Sequence, residues 1–211
     1  MGDKKPKLKA CDRVLIVEGY SDLLFYAEAL EKGSRNHAGV FIEPFNGKAD
    51  LVAQLETFLN PKLLAEKKAI GVIVDADESF SATCTSLETE LTRITKQAIR
   101  HGQWTKKAEG KASIGLFVVS GDGNTGEIES LVWRAWANDP KNVDPKSCVE
   151  GFLACMDGQG HRAKSPDKGR IGALLSVLSD EDPRLGPGAR DRVFDFSRPE
   201  FKPLIDFLRQ L

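Results

Sequence analysis

Three acidic groups stand out by residue type and spacing: Glu18 with Asp22, Asp75 with Asp77, and Glu127 with Glu129. Each follows a short apolar run, Val14 to Val17, Ile70 to Val74 and Ile114 to Val119, the last through the loop Ser120 to Gly126. Such continuous runs suit strands covered on both faces. If the strands are parallel, their ends share one edge, and carboxylates from distant parts of the chain converge there with their repulsion uncompensated. Hard oxygen donors in that number select Mg²⁺ or Mn²⁺, which bind through a few carboxylates and keep waters that a phosphate can displace. Two ions roughly 4 Å apart could share these acids. Asp22 lies one helical turn beyond Glu18, so both could face the same site. Glu127 and Glu129, two positions apart, should point to different sides of a helical turn, which favours Glu129 as the ligand. Each acid taken alone also reads as a helix cap or a solvated loop residue.

The elements needed to position these acids are legible as alternating strands and helices. After the first strand, Leu23, Leu24, Tyr26, Ala27 and Leu30 recur at helical spacing, with Ser21 as the expected N-cap and Gly33 just beyond the pattern. Val40 to Ile42 reads as a strand, Gly47 to Asp50 as a turn, and Leu51 to Leu59 as a helix ending before Pro61. Leu87, Leu91 and Ile94 mark a helix after the third strand, and Ile128, Leu131, Val132 and Ala135 mark one after the fourth. That order predicts an α/β fold with a mostly parallel sheet and ligands at the carboxyl ends of its strands. Beyond Asn138 the chain is richer in Pro and Gly. Ser165-Pro166 should open one helix, Ser197 to Glu200 should open another through a capping box, and Asp180 to Arg190 reads as a mobile loop.

The 211 residues, 41% hydrophobic and 29% charged, suffice for one core and predict a single domain, with a core over about 12–137 and a helical extension over about 138–211. No apolar run approaches the roughly 18 to 20 residues that cross a bilayer, and no export signal follows the basic start, so a cytoplasmic protein without membrane attachment is expected. Cys11, Cys84, Cys148 and Cys155 lack zinc-site spacing and read as reduced thiols. With 30 Lys+Arg against 31 Asp+Glu, no overall positive field draws the chain to a polyanion. Contact with nucleic acid would need a local basic patch or a bound metal. The sequence assigns no oligomeric state.

Val17-Glu18-Gly19-Tyr20-Ser21-Asp22, Val74-Asp75-Ala76-Asp77 and Gly126-Glu127-Ile128-Glu129 resemble the E-G-x-x-D, D-x-D and G-x-x-E signatures of the TOPRIM domain, in the same order. That fold is shared by topoisomerases, primases and nucleases of the overcoming-lysogenization-defect type. The resemblance spans roughly Arg13 to Arg134, while the C-terminal stretch looks more like an uncharacterised family of small stand-alone TOPRIM-related proteins. It implies a Rossmann-like TOPRIM fold with C-terminal helical additions. It also implies Glu18 as acid/base or metal ligand, Asp75 and Asp77 as Mg²⁺ ligands, and Glu129 and Asp22 as completing a second ion's shell. Strand passage would need a nucleophilic tyrosine on a separate domain, and only Tyr20 and Tyr26 are present, both in the first unit.

Other motifs carry less. Gly121-x4-Gly126 places Glu127 and Ile128 where a phosphate-binding loop needs Lys and Ser/Thr, so that reading fails. Lys4, Lys5, Lys7 and Lys9 read as a solvated tail. Lys164, Lys168 and Arg170 straddle a helix start, and Lys168 could neutralise charge on a pentacovalent phosphate. Trp104, Trp133 and Trp136 could stack on bases, although the last two, three apart, read as packing. His37, His101 and His161 read as surface residues. Two functions are therefore expected from the sequence: a Mg²⁺-dependent phosphodiester hydrolase acting on nucleic acid, or a non-catalytic metal- or nucleotide-binding module working beside a separate ATPase or nuclease subunit.

Overall fold

Four apolar runs become strands: β1 (Arg13–Val17), β2 (Val40–Pro44), β3 (Ala69–Asp75) and β4 (Ser113–Val119). All pair in parallel, in the order β2-β1-β3-β4. The computed structural model describes residues 7–107, 109–163, 165–180 and 182–211, so Lys4, Lys5 and Lys164 lie outside the described residues. Because side chains alternate along a strand, the central strands feed two separate cores. Leu15, Val17, Ile73 and Phe117 face α1 (Tyr20–Glu28), α5 (Ile128–Ala137), α7 (Pro166–Leu178), α8 (Leu185–Arg190) and α9 (Lys202–Leu208). Val14, Ile16, Val72 and Leu116 face α2 (Lys48–Phe58), α3 (Pro61–Glu66) and α4 (Phe80–Thr95). The architecture is thus α/β, an all-parallel four-stranded sheet with helices on both faces. No helix among the described residues is long and apolar enough to cross a membrane.

Several local expectations change. Gly19, in extended conformation, is the N-cap of α1, while the Ser21 hydroxyl donates to Asp22 Oδ1 at 3.0 Å. The helix runs on through a π-helical turn, Ala29–Ser34, and stops at Arg35 in the left-handed region (φ 57°) rather than at Gly33. α2 begins at Lys48, so the expected turn Gly47 to Asp50 is mostly helix. Helix α6 (Val143–Gly158) has no buried residue and packs mainly along α7, which explains its weak apolar signal. Ser197 donates to Asp195 Oδ1 at 2.7 Å, so no capping box forms there; Arg198 precedes a 3-10 turn that leads into α9.

The largest correction concerns Asp180 to Arg190. Its second half is the buried helix α8, packed mainly on α1. A Cβ at Gly186 would lie 2.6 Å from Leu24 Cβ, and one at Gly188 would lie 2.4 Å from Leu175 Cδ2. Here the glycines serve close approach between helices rather than flexibility.

Segment 101–105 runs beside β4: Gly102 N donates to Leu116 O at 2.8 Å and Thr105 N to Ile114 O at 2.8 Å, which covers the sheet's open edge. His101 is consequently not a surface residue. Its Nδ1 accepts from Val118 N at 3.0 Å, and its ring contacts Phe80 and Phe117. Trp104 stacks on Phe207 at 4.9 Å and donates from Nε1 to Phe207 O at 3.1 Å, so it holds α9 instead of facing a base. Trp133 and Trp136 are buried and stacked together, as their spacing suggested. Cys11 and Cys84 are buried and Cys148 and Cys155 exposed, all as free thiols.

Candidate metal centre

The strand order reverses direction at β1: the chain goes from β1 outward to β2, then returns past β1 to β3. A crevice therefore opens between the carboxyl ends of β1 and β3, where open α/β sheets bind ligands. Glu18 follows the last residue of β1, and Asp75 is the last residue of β3. Asp75 N donates to Glu18 Oε2 at 3.2 Å, and Asp75 Oδ1 accepts from Ile128 N, the first residue of α5, at 2.9 Å. Asp75 thus joins the end of β1 to the start of α5.

One carboxylate oxygen each from Asp75, Glu127 and Glu129 lies within 4.8 Å of the others. The expectation that Glu127 and Glu129 diverge is overturned. Glu127 is the N-cap of α5, with extended backbone (φ −125°, ψ 178°), so the helical offset between the two positions does not apply. The C-terminal extension closes over them. Ser165, the N-cap of α7, donates from Oγ to Glu127 Oε1 at 2.6 Å, and the Lys168 ammonium pairs with Glu127 and, at 3.3 Å, with Glu129 Oε2. Arg170 does not join them: it pairs with Glu150 and Asp167 and lies over the Trp133 ring.

Asp22, in the first turn of α1, and Tyr26, one turn on, complete the cup. Burial drives the Tyr26 hydroxyl well above its ordinary range, and the charges of Asp75, Asp22, Glu129 and Glu18 add to the shift. All four carboxyls therefore lie near enough to this buried side chain for their charges to act on it. Their own proton affinities rise for the same reason. Burial raises Asp75 strongly, reinforced by Glu18, Asp22 and Glu129, and raises Asp22 as well. Glu129 is pushed up to about 7 by burial. Glu18 is raised by burial although the Asp75 amide and Lys48 pull the other way. Crowded, half-desolvated carboxyls of this kind are relieved by protons or by a cation.

Asp77 stands apart from the three-carboxylate cluster. It occupies the left-handed region (φ 52°), its side chain is 50% exposed, and it pairs with Lys48. Lys48 also donates to Asp75 O at 2.6 Å, which fastens the D-x-D turn to α2. The glycine-rich loop is closed onto the same turn: Asp77 N donates to Gly126 O at 3.0 Å and Gly126 N to Asp77 O at 2.8 Å, a bridge that needs the positive φ of Gly126 (109°). Lys48 and Ser165 carry no site assignment in the sequence reading, and Glu127 is passed over there in favour of Glu129. The position of Lys48, directly after Gly47 at the carboxyl end of β2, was the available signal for the first.

The donor set is all carboxylate oxygen, with no nitrogen or sulfur, and it suits a hard divalent cation such as Mg²⁺ or Mn²⁺. Alongside it runs an open groove of about 1130 Å³ between the starts of α4, α5 and α7, with Lys48, Ser79, Arg134 and Lys168 among the residues lining it.

A family model described as "Protein of unknown function (DUF3226)" matches residues 12–211. No curated protein and no solved structure matches the chain.

Proposed function

This chain belongs to the DUF3226 family, and we propose that it is a TOPRIM-type phosphodiester hydrolase, dependent on Mg²⁺ or Mn²⁺, that acts on nucleic acid. The observation supporting this reading is the meeting of Asp75, Glu127 and Glu129 within 4.8 Å, with Glu18 bonded to the Asp75 amide and Glu127 on the wall of the groove. The groove exceeds the ~300–1,000 Å³ of usual small-molecule pockets, which favours an extended substrate. Asp75, Glu127 and Glu129 would hold the divalent cation, which would supply Lewis-acid polarisation of a phosphoryl oxygen. Glu18 spends Oε2 on the Asp75 amide, which leaves Oε1 to hold or take a proton. Lys168 reaches the cluster from the amino end of α7, where its ammonium can neutralise charge on a phosphoryl oxygen.

The test is incubation of the protein with Mg²⁺ or Mn²⁺ and labelled single- and double-stranded DNA and RNA, beside Asp75→Asn. Cleavage lost in the variant supports the reading; intact substrates throughout overturn it. One observation favours the second reading, a non-catalytic metal- or nucleotide-binding module beside a separate ATPase or nuclease subunit. The groove presents Asp77, Glu78, Asp122, Glu127 and Asp167 against Lys48, Arg134 and Lys168, an acidic excess that repels phosphates. Tight cation binding by calorimetry without turnover would select that module.

A further inference from the structure

The proposed substrate is a polyanion, yet the groove beside the carboxylates is acidic, so attraction must come from elsewhere on the molecule. The opposite end of the sheet is basic. At the amino-terminal edge of β1, β3 and β4, three segments are tied together by hydrogen bonds. Lys67 Nζ donates to Leu8 O and Cys11 O, both at 2.7 Å, Ala112 N donates to Leu64 O at 2.9 Å, and Ser113 N to Lys68 O at 2.9 Å. These segments display Lys7, Lys9, Lys106, Lys107 and Lys111, all exposed and outside any ion pair among the described residues. Thr105 is fastened to β4 through its amide, so Lys106 and Lys107 leave directly from that edge. The acids there are largely spent: Asp12 pairs with Lys68 at 2.6 Å and Glu66 with Lys62 at 3.8 Å, and only Glu109 is outside an ion pair among the described residues of these segments. The near-zero net charge therefore conceals a dipolar molecule, acidic at the carboxyl ends of the strands and basic at their amino ends.

We propose that this lysine edge is a second, sequence-independent contact for nucleic acid, which grips the phosphate backbone of a strand whose scissile bond lies at the carboxylate cup. The proposal rests on the reading of the cup as a nucleic-acid hydrolase. Lysine alone supplies point charges rather than the forked, two-bond recognition of arginine, which suits backbone contact without base readout. The exposed large apolar residues among the described residues, Tyr20, Val52, Val143, Phe152, Val177 and Leu178, all lie on other segments, so the described part of this edge presents no large apolar side chain to insert into lipid or to anchor a protein partner. Trp104, the aromatic residue nearest these lysines in sequence, is committed to Phe207 and cannot stack on a base.

The two ends are separated by the length of β3, seven residues at about 3.3 Å each, or roughly 20 Å. With about 3.4 Å per phosphate along one strand, a substrate needs at least about six nucleotides to touch both. Shorter phosphodiesters meet only the cup.

The test measures anisotropy of a labelled oligonucleotide several times that length, in EDTA and across a salt series, for the wild type, a Lys106→Gln/Lys107→Gln/Lys111→Gln variant and Asp75→Asn. The triple variant is expected to bind about tenfold or more weakly at low salt, with the slope of log affinity against log salt reduced by about two to three. Asp75→Asn should bind like the wild type. No binding by the wild type, or unchanged affinity and slope in the triple variant, overturns the proposal. Competition by polyglutamate as effective as that by nucleic acid would also overturn it, in favour of an acidic protein partner. A second arm follows cleavage of bis(p-nitrophenyl) phosphate, which is too short to reach the edge: the triple variant should match the wild type there while losing activity on the long strand. If the wild type cleaves neither substrate but the triple variant still loses binding, the cup reading fails and the lysine edge stands.

Discussion

The backbone amide of Asp75 donates to the carboxylate of Glu18 at 3.2 Å, a bond between residues at the ends of two adjacent parallel strands. Glu18 is thereby oriented by the same residue that offers its own carboxylate to the cluster and caps α5 through Ile128 N. Replacing Asp75 consequently has two separable effects. Asp75→Asn keeps an acceptor for Ile128 N and should fold normally while losing metal binding and cleavage by a factor of about 10³. Asp75→Ala should lose the same activity and also about 1–2 kcal/mol of stability, because an amide at the start of α5 is left unbonded. Equal denaturation midpoints for the two variants would contradict this.

Asp77 and Glu129 should differ as ligands. The Asp77 carboxylate is half exposed and engaged by Lys48, whereas Glu129 belongs to the three-carboxylate cluster. Calorimetric titration with Mn²⁺ should show Glu129→Gln losing affinity by about tenfold or more, with a smaller loss in Asp77→Asn. The reverse order would place the cation on the outer side of the D-x-D turn.

Lys168 competes with any cation for Glu127 and Glu129. Lys168→Met should bind Mn²⁺ more tightly, by about tenfold at most because the side chain is 52% exposed and its charge is screened. Turnover on a phosphodiester should fall in the same variant. Weaker Mn²⁺ binding would mean that the ammonium supports the site rather than opposing the ion.

Stability should depend on pH through Glu129, raised from 4.5 to about 7. Between these values the folded protein holds a proton that the unfolded chain has released. The contribution is therefore full below about pH 4.5 and is lost as pH rises through about 7, with an upper scale of roughly 3 kcal/mol. The melting temperature of the wild type relative to Glu129→Gln should fall from pH 5.5 to pH 8. Mg²⁺ should restore more of it at pH 8, where the carboxylate is free to bind. A difference that grows with pH in the absence of cation would have the wrong sign.

Gly186→Ala tests the packing of α8 on α1, since the new Cβ would meet Leu24 at 2.6 Å. Overpacking of this kind costs about 1–3 kcal/mol. Thermal denaturation should show the loss, and limited proteolysis of the wild type should spare 185–190. An unchanged melting temperature together with rapid cleavage there would restore the mobile-loop reading.

What the sequence determined by itself was the alternation of elements and the edge on which the acids lie. Continuous apolar runs such as Ile70 to Val74 reveal strands buried on both faces, and in a parallel sheet every strand delivers its last residue to the same side, so Glu18 and Asp75 were neighbours in prospect. What only the tertiary structure decided were the meetings between remote segments. Glu127 joins Glu129 because the backbone at the α5 cap is extended, Lys48 reaches Asp75 O from the first position of α2, and Ser165 and Lys168 arrive from a helix far along the chain. Gly186 and Gly188 read locally as loop residues, yet they lie in a buried helix because Leu24 and Leu175 leave no room for a side chain. Local periodicity records which face of an element is buried; which distant element covers it depends on strand order and packing, and neither is written in any short stretch of residues.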